Sequence, residues 1–307
     1  MFNVFIDGKA GTTGLRIYER LSGRDDIHIV SLSEHLRKDV SARKDAINGA
    51  DVVFLCLPDD AAREAVTLVE NPNVIVIDAS TAHRTKEGWT YGFPELSKEH
   101  RAAITTSKRI ANPGCYASGF ISLVYPLVKG GLVADDYPFV CHAVSGYSGA
   151  GKKGIEQYES VPRDTALETP RLYALSLMHK HLPEMKAVCS LSRTPVFNPY
   201  ICNYRCGMTV TVPLFCDMMK KKLSVEEAEE FFKQWYKGSK FVSVGKEESG
   251  FLCANALNGT NKLEIFVNGN GEQLLLTARL DNLGKGASGA AIQNMNLALG
   301  LDEGTGL

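Results

Sequence analysis

The sequence predicts a doubly wound α/β domain with a parallel sheet, followed by an α+β domain. Three observations carry this. The first hundred residues alternate continuous apolar runs with amphipathic stretches, the pattern of a parallel sheet covered on both faces. The glycine-punctuated stretch "DGKAGTTG" (7–14) joins the first such run to the first helical one. Beyond an Asn-Pro-Gly turn at 112–114 the texture changes, and a hairpin pattern surrounds Asn-Gly-Asn-Gly at 268–271.

In chain order, "NVFIDG" (3–8) reads as a strand. In "GLRIYERLSG" (14–23), Leu15, Ile17, Tyr18 and Leu21 recur at roughly helical spacing. Then follow a strand in "IHIVSL" (27–32), a polar helix near 39–48 and a strand at 51–58. A helix at 59–70 and a strand at 73–80 complete the alternation. In the second half a helix is expected over 115–129 and a strand in "PFVCHAVSG" (138–146), followed by a long irregular stretch rich in glycine and charge. Further strands are expected in "KAVCSLSRTPV" (186–196) and "RCGMTVTVPLF" (205–215). Ser224 with Glu227 three residues on forms a capping box that opens a helix. Residues 262–280 read as the hairpin, and 284–300 as a last helix with a small, apolar face. The second domain is thus expected to be an antiparallel sheet with helices on one side.

Composition narrows the class. The 307 residues are 44% apolar and 22% charged, with a formal net charge of −1, which gives no reason to expect nucleic acid or an anionic membrane as partner. No apolar run reaches the roughly 18 residues that would mark a membrane span. The start, "MFNVFIDGKAG", enters a strand without the regions of a signal peptide. The eight cysteines lie mostly in apolar runs, so reduced thiols and a cytoplasmic setting are expected. "CNYRC" (202–206) has no second pair or histidine partner beside it, and no metal is expected.

Four stretches can carry chemistry. Gly8, Gly11 and Gly14 let a backbone approach a pyrophosphate at a helix N-terminus, which points to a dinucleotide. At the end of the second strand, Ser31 and Ser33 with Arg37 and Lys38 favour NADP, while Glu34 argues for NAD. Cys115 opens its helix directly after the turn, where a thiol becomes nucleophilic. On local sequence alone, buried packing and reactivity account for it equally well. His179, His181 and Glu184 in "LMHKHLPEM" supply an imidazole for proton handling and a carboxylate to orient it. Ser80, His83 and Arg84 follow a strand end where open sheets bind ligands. "SGYSGAGKKG" (145–154) has the glycines and lysines of an anion-binding nest.

Taken together, "NPGCYAS", the Gly8/Gly11/Gly14 loop, "YGFPEL" (91–96), "SGYSGAGK" (145–152), the His-x-His-x-x-Glu stretch and "DNLGKGASGAAIQNMN" (281–296) resemble the N-acetyl-γ-glutamyl-phosphate reductases of arginine biosynthesis. "DASTAHR" (78–84) and the short length are similar to the smaller sequence class of that family. The resemblance implies a Rossmann domain (1–114 and 284–307). It also implies an α+β catalytic and oligomerisation domain (115–283) like that of glyceraldehyde-3-phosphate dehydrogenase. It further implies NADPH, an acyl phosphate substrate, a Cys115 thioester and a homo-oligomer, dimer or tetramer. It carries catalysis onto Cys115, His179 and Glu184, with His181 as the alternative imidazole. Cofactor contacts fall on Gly8, Gly11, Thr12, Thr13, Gly14, Ser31, Ser33, Ser80 and Asn282. Substrate contacts fall on Asn112, Ser145, Gly146, Arg84 and His181. Two other readings are an aspartate-semialdehyde dehydrogenase-like reductase and a dinucleotide-binding regulator with a dead site.

Overall fold

Six short, almost wholly apolar strands form the first sheet of the computed structural model, which describes residues 1–246 and 250–307. They are β1 (Phe2–Asp7), β2 (Ile27–Val30), β3 (Val52–Leu55), β4 (Ile75–Asp78), β5 (Thr90–Tyr91) and β6 (Arg109–Ala111). All pairs are parallel, in the order β2-β1-β3-β4-β6-β5. The helices between them are α1 (Thr12–Leu21), α2 (Val40–Asn48), α3 (Asp59–Thr67) and α4 (Lys98–Thr106). Side chains alternate across the sheet, so two cores arise from one set of strands. Val4, Ile6, Val52, Phe54, Ile75 and Ile77 face one core, while Phe5, Val53, Leu55, Val74 and Val76 face the other.

The last helix, α9 (Gly289–Ala298), returns to this sheet. Ala291, Ile292, Met295 and Leu297 join Ile17 and Leu21 of α1 in the first core. Each fully buried aliphatic side chain stabilises by about 1.5–3 kcal/mol, which accounts for the small and apolar character of a segment so far along the chain. Contacts divide the chain into two units, 1–113 with 287–307, and 114–286. The cuts expected from sequence were at 114/115 and 283/284. Gly114 goes with the helix that it caps, and Gly286 goes with the backbone that presses on Cys115.

The second unit has the seven-stranded sheet β11-β12-β13-β10-β7-β9-β8. The strands are β7 (Val140–Gly146), β8 (Arg171–Leu172), β9 (Val196–Cys202), β10 (Met208–Phe215), β11 (Val242–Val244), β12 (Leu263–Gly269) and β13 (Gln273–Leu280). The expectation of an antiparallel sheet needs correction, because β7 with β9 and β11 with β12 run parallel. The parallel β7–β9 step needs a crossover, and it contains the helix α7 (Leu182–Val188). That helix occupies the first residues of the strand expected at 186–196, which begins instead at Val196. A short apolar run such as Ala187–Cys189 does not distinguish helix from strand by periodicity.

Helix α5 (Cys115–Lys129) lies along β10 and β13, and α8 (Val225–Trp235) along β11 and β12. The approach of α5 is close at Gly119, where an added Cβ would stand 2.5 Å from a Val210 methyl. The capping box opens α8 as expected: Glu227 N–H donates to Ser224 Oγ, and Ser224 N–H donates to Glu227 Oε2.

Candidate active site

In the first unit the glycine loop has the geometry of an anion cradle. Gly8 takes a φ of +88°, and a Cβ there would fall 2.3 Å from the Cys56 carbonyl oxygen. A Cβ on Gly14 would fall 2.6 Å from the Gly8 carbonyl oxygen, so α1 can start this close to β1 only with glycine. Gly11, the N-cap, offers no side-chain cap. The first-turn N–H groups of Thr12, Thr13 and Gly14 have no intrahelical acceptor and point out of the helix start. This donor set fits a pyrophosphate. Just before it, the buried Asp7 carboxylate accepts from Arg43 Nε and Nη2 at 3.1 and 2.9 Å. Burial raises the Asp7 carboxyl above its usual range, and Arg43 opposes that rise. Ser31 and Ser33 lie exposed past β2, with Arg37 paired to Glu34 at 3.3 Å.

Other residues expected at ligands in this unit are engaged in the scaffold. Ser80 donates to Asp78 through its hydroxyl at 2.7 Å and its N–H at 2.9 Å. His83, stacked on Trp89, contacts the same carboxylate at 2.6 Å. Arg84 donates to the carbonyls of Asn112 and Ala79, so it braces the chain leading into the Asn-Pro-Gly turn. The Asn112 amide is buried, donates to the Ala287 carbonyl and accepts from Asn294 Nδ2. The Asn112 side chain, expected at the substrate, thus also supports the turn.

In the second unit Cys115 is the first residue of the fifteen-residue α5, half-buried, behind the N-cap Gly114, which has no side chain to cap the helix. The dipole of such a helix favours negative charge at this end. The backbone at Gly286 lies so close that a Cβ there would come within 2.7 Å of the Cys115 Cβ. Gly286 belongs to a π-turn, Gly284–Ser288, a feature frequent at functional sites. Glu184, buried in the first turn of α7, accepts from the Gly114 N–H at 3.2 Å. That contact adds to the expected role of orienting an imidazole: the carboxylate fixes the turn that presents the thiol.

His179 and His181 lie in the turn that leads into α7, with ring centroids 4.8 Å apart. His179 Nδ1 accepts from the His181 N–H at 3.2 Å, and its Nε2 is 3.3 Å from the Tyr173 hydroxyl. Tyr116 packs against both imidazoles, 5.7 Å from His179 and 5.9 Å from His181 between ring centroids, and Tyr173 and Ser145 lie close enough to act on its phenol. The structure thus gathers Cys115, His179, His181, Glu184 and Ser145, and adds Tyr116, Tyr173 and Gly286, which sequence reasoning missed. Tyr116 had a signal, since it follows the cysteine directly. Tyr173 had none beyond its place six residues before His179.

The nest expected at 145–154 is not open at its start. The N–H groups of Gly146, Tyr147 and Ser148 donate to the carbonyls of Gly207, Tyr204 and Arg205. The N–H of Gly146, expected at the substrate, is thus engaged in the sheet. Asn282 is also buried, accepting from the Gly207 N–H at 2.8 Å and donating to Ser148 Oγ at 2.9 Å. With these two bonds Asn282, expected at the cofactor, supports this corner.

Residues 3–104 match the model of the semialdehyde dehydrogenase NAD binding domain, and 115–282 that of the semialdehyde dehydrogenase dimerisation domain. The chain is 48% identical over 303 residues to N-acetyl-γ-glutamyl-phosphate reductase 2 of Pseudomonas putida, covering 97% of this chain and 96% of that one. It is 46% identical to the N-acetyl-γ-glutamyl-phosphate reductase of Trichormus variabilis, covering 99% and 98%. Among solved structures, aspartate semialdehyde dehydrogenase II of Vibrio cholerae aligns with a TM-score of 0.72 at 16% identity, covering 97% of this chain and 98% of that one. A probable aspartate-semialdehyde dehydrogenase of Pseudomonas aeruginosa gives 0.73 at 15%, with the same coverage. At such identities these two speak to fold alone.

Proposed function

The chain belongs to the N-acetyl-γ-glutamyl-phosphate reductases of the semialdehyde dehydrogenase family, and from that membership we propose how its residues carry out the reaction. The reaction is the reduction of N-acetyl-γ-glutamyl phosphate to the 5-semialdehyde with release of phosphate. The observation that carries the reading is Cys115 at the start of α5, on a turn held by Glu184, with the next residue, Tyr116, packed against His179 and His181.

The Cys115 thiolate attacks the acyl phosphate carbonyl. The tetrahedral oxyanion collapses, the bond to the phosphate oxygen breaks, and phosphate leaves with the one proton that the net reaction consumes. A thioester remains on Cys115, which splits a difficult reduction into two easier steps. A nicotinamide dinucleotide supplies hydride to the thioester carbon when bound. The resulting thiohemiacetal oxyanion collapses to the aldehyde and expels the Cys115 thiolate. His179 donates a hydrogen bond from Nε2 to the oxyanion, and His181 is the alternative imidazole. Glu184 holds the Gly114 amide, Ser145 supports Tyr116, and the exposed start of α6 (Gly151–Glu159), with Lys152 and Lys153, offers charge to the phosphate.

The cofactor is NADP. Gly8, Gly11, Thr12, Thr13 and Gly14 would hold its pyrophosphate, and Ser31, Ser33 and Arg37 would serve the 2′-phosphate. No described helix is long and apolar enough to cross a membrane, and the enzyme works in the cytoplasm. A second copy of the chain covers the outward face of the second sheet. There Phe215 and Leu275 are 52% and 43% exposed beside Thr211 and Pro213, apolar side chains that a second copy would cover.

The test is the reverse reaction. N-acetylglutamate semialdehyde with phosphate and NADP⁺ should turn over, faster than with NAD⁺ and far faster than aspartate semialdehyde. Preference for aspartate semialdehyde would reassign the substrate.

A further inference from the structure

Both nitrogens of the His179 ring are held within the second unit, and together the two contacts fix its proton. The backbone N–H of His181 donates to His179 Nδ1 at 3.2 Å. A backbone amide nitrogen can only donate, so Nδ1 is the bare nitrogen of the ring. A neutral imidazole then carries its hydrogen on Nε2, 3.3 Å from the Tyr173 hydroxyl, which accepts it. An imidazolium would set an Nδ1–H against the His181 N–H, two donors without an acceptor. The far side is closed as well. Tyr116 stands edge-on to the His179 ring at 5.7 Å between centroids, and Phe197 does so at 5.0 Å. Tyr173 also lies close enough to Tyr116, the second residue of α5, for the two phenols to act on each other.

We propose that His179 is locked as a neutral Nε2–H imidazole, and that Tyr173 is the positioning residue that holds it so. His179 then acts as a fixed hydrogen-bond donor to the reacting oxygen and does not exchange a proton with it. The proposal rests on the reading of Cys115 as nucleophile. An oxyanion formed at that thiol takes from Nε2 the hydrogen bond that Tyr173 holds when no substrate is present, so the donor is oriented before the reaction begins. Burial, reinforced by negative charge at Cys115, raises both the Tyr116 and Tyr173 phenols, so at neutral pH both keep their protons and stay neutral partners.

The direct measurement is ¹⁵N NMR of the full chain labelled at histidine, at neutral pH, with His179→Gln providing the assignment. The expected spectrum gives His179 a protonated Nε2 and a bare Nδ1. An Nδ1–H tautomer or an imidazolium overturns the proposal, whatever the activity of the sample. Tyr173→Phe should lose roughly tenfold or more in kcat of the reverse reaction, with KM for semialdehyde and phosphate within about twofold. Its His179 signals should become those of a tautomer mixture. Wild-type kcat together with unchanged His179 signals would remove Tyr173 from the role. If that variant does not fold, the wild-type spectrum still decides. A wild-type protein inert toward every semialdehyde would sink the functional reading while leaving the tautomer result intact.

Discussion

At the scale of single residues, the eight cysteines separate by environment. Burial and the Asp78 and Asp7 carboxylates push the Cys56 thiol up to about 12, and burial raises Cys141 and Cys189 as well. At pH 8 these three stay protonated, and Cys141 and Cys189 are buried as well, so iodoacetamide should pass them by until the protein unfolds. The real competitor of Cys115 is Cys253, which is exposed. Peptide mapping after brief alkylation should find Cys115 modified first, and more clearly in a Cys253→Ser background. Preferential modification of Cys253 in the native protein would count against an activated thiol. Cys115→Ser should abolish reductase turnover, by at least about 10³-fold, while dinucleotide binding measured by fluorescence stays within twofold of wild type. Residual turnover above that level would remove the thioester route. Much of this site was legible because helix starts are local: Asn-Pro-Gly before an apolar run places Cys115 without knowledge of anything distant. Tyr173 was not, because its partner Tyr116 is far off in sequence and the intervening chain has no period to follow.

At the scale of elements, the glycine loop and α1 form one device. Gly14→Ala would drive a methyl group against the Gly8 carbonyl, 2.6 Å away, and push the helix start off the strand end. Cofactor affinity should fall by roughly tenfold or more, because the first-turn N–H groups act only at close range. Equilibrium dialysis with NADP⁺ checks this, and unchanged affinity would mean that the loop is a plain turn. The alternation of strand and helix in this half was readable because parallel strands buried on both faces are written as continuous apolar runs. Helix α7 was not readable as such. The signal lay in Pro183 near the helix start, while the apolar run after it resembled a strand. The parallel pairing of β7 with β9 likewise depends on where the crossover runs, and no residue pattern in either strand states it.

At the scale of the whole molecule, the chain closes its first unit with residues from both ends. Arg24 donates to Asn296 Oδ1 and to the Thr305 carbonyl, and Gln293 donates to both Glu95 and Glu303. Inside the same unit, Arg43 and Asp7 form a buried pair whose side chains are 9% and 7% exposed. Removing one partner leaves an uncompensated charge, so Arg43→Ala should cost roughly 3–5 kcal/mol of unfolding free energy. Chemical denaturation reads this directly. The double change Arg43→Met with Asp7→Leu should recover most of the loss, and a single change without effect would show that the pair is solvated in solution.

The sequence by itself determined the class of both halves, the glycine loop between β1 and α1 and the place of Cys115 at a helix start. Each of these is written in spacing within about ten residues, where local sterics and hydrogen bonding decide the outcome. Only the tertiary structure decided that Glu184 braces the Gly114 amide and that Asn112, Gly146 and Asn282 are engaged in the scaffold. It also decided that Tyr116 and Tyr173 stand behind His179. Those facts depend on which buried donor meets which acceptor once the chain has folded, and a polar residue does not carry its partner's name.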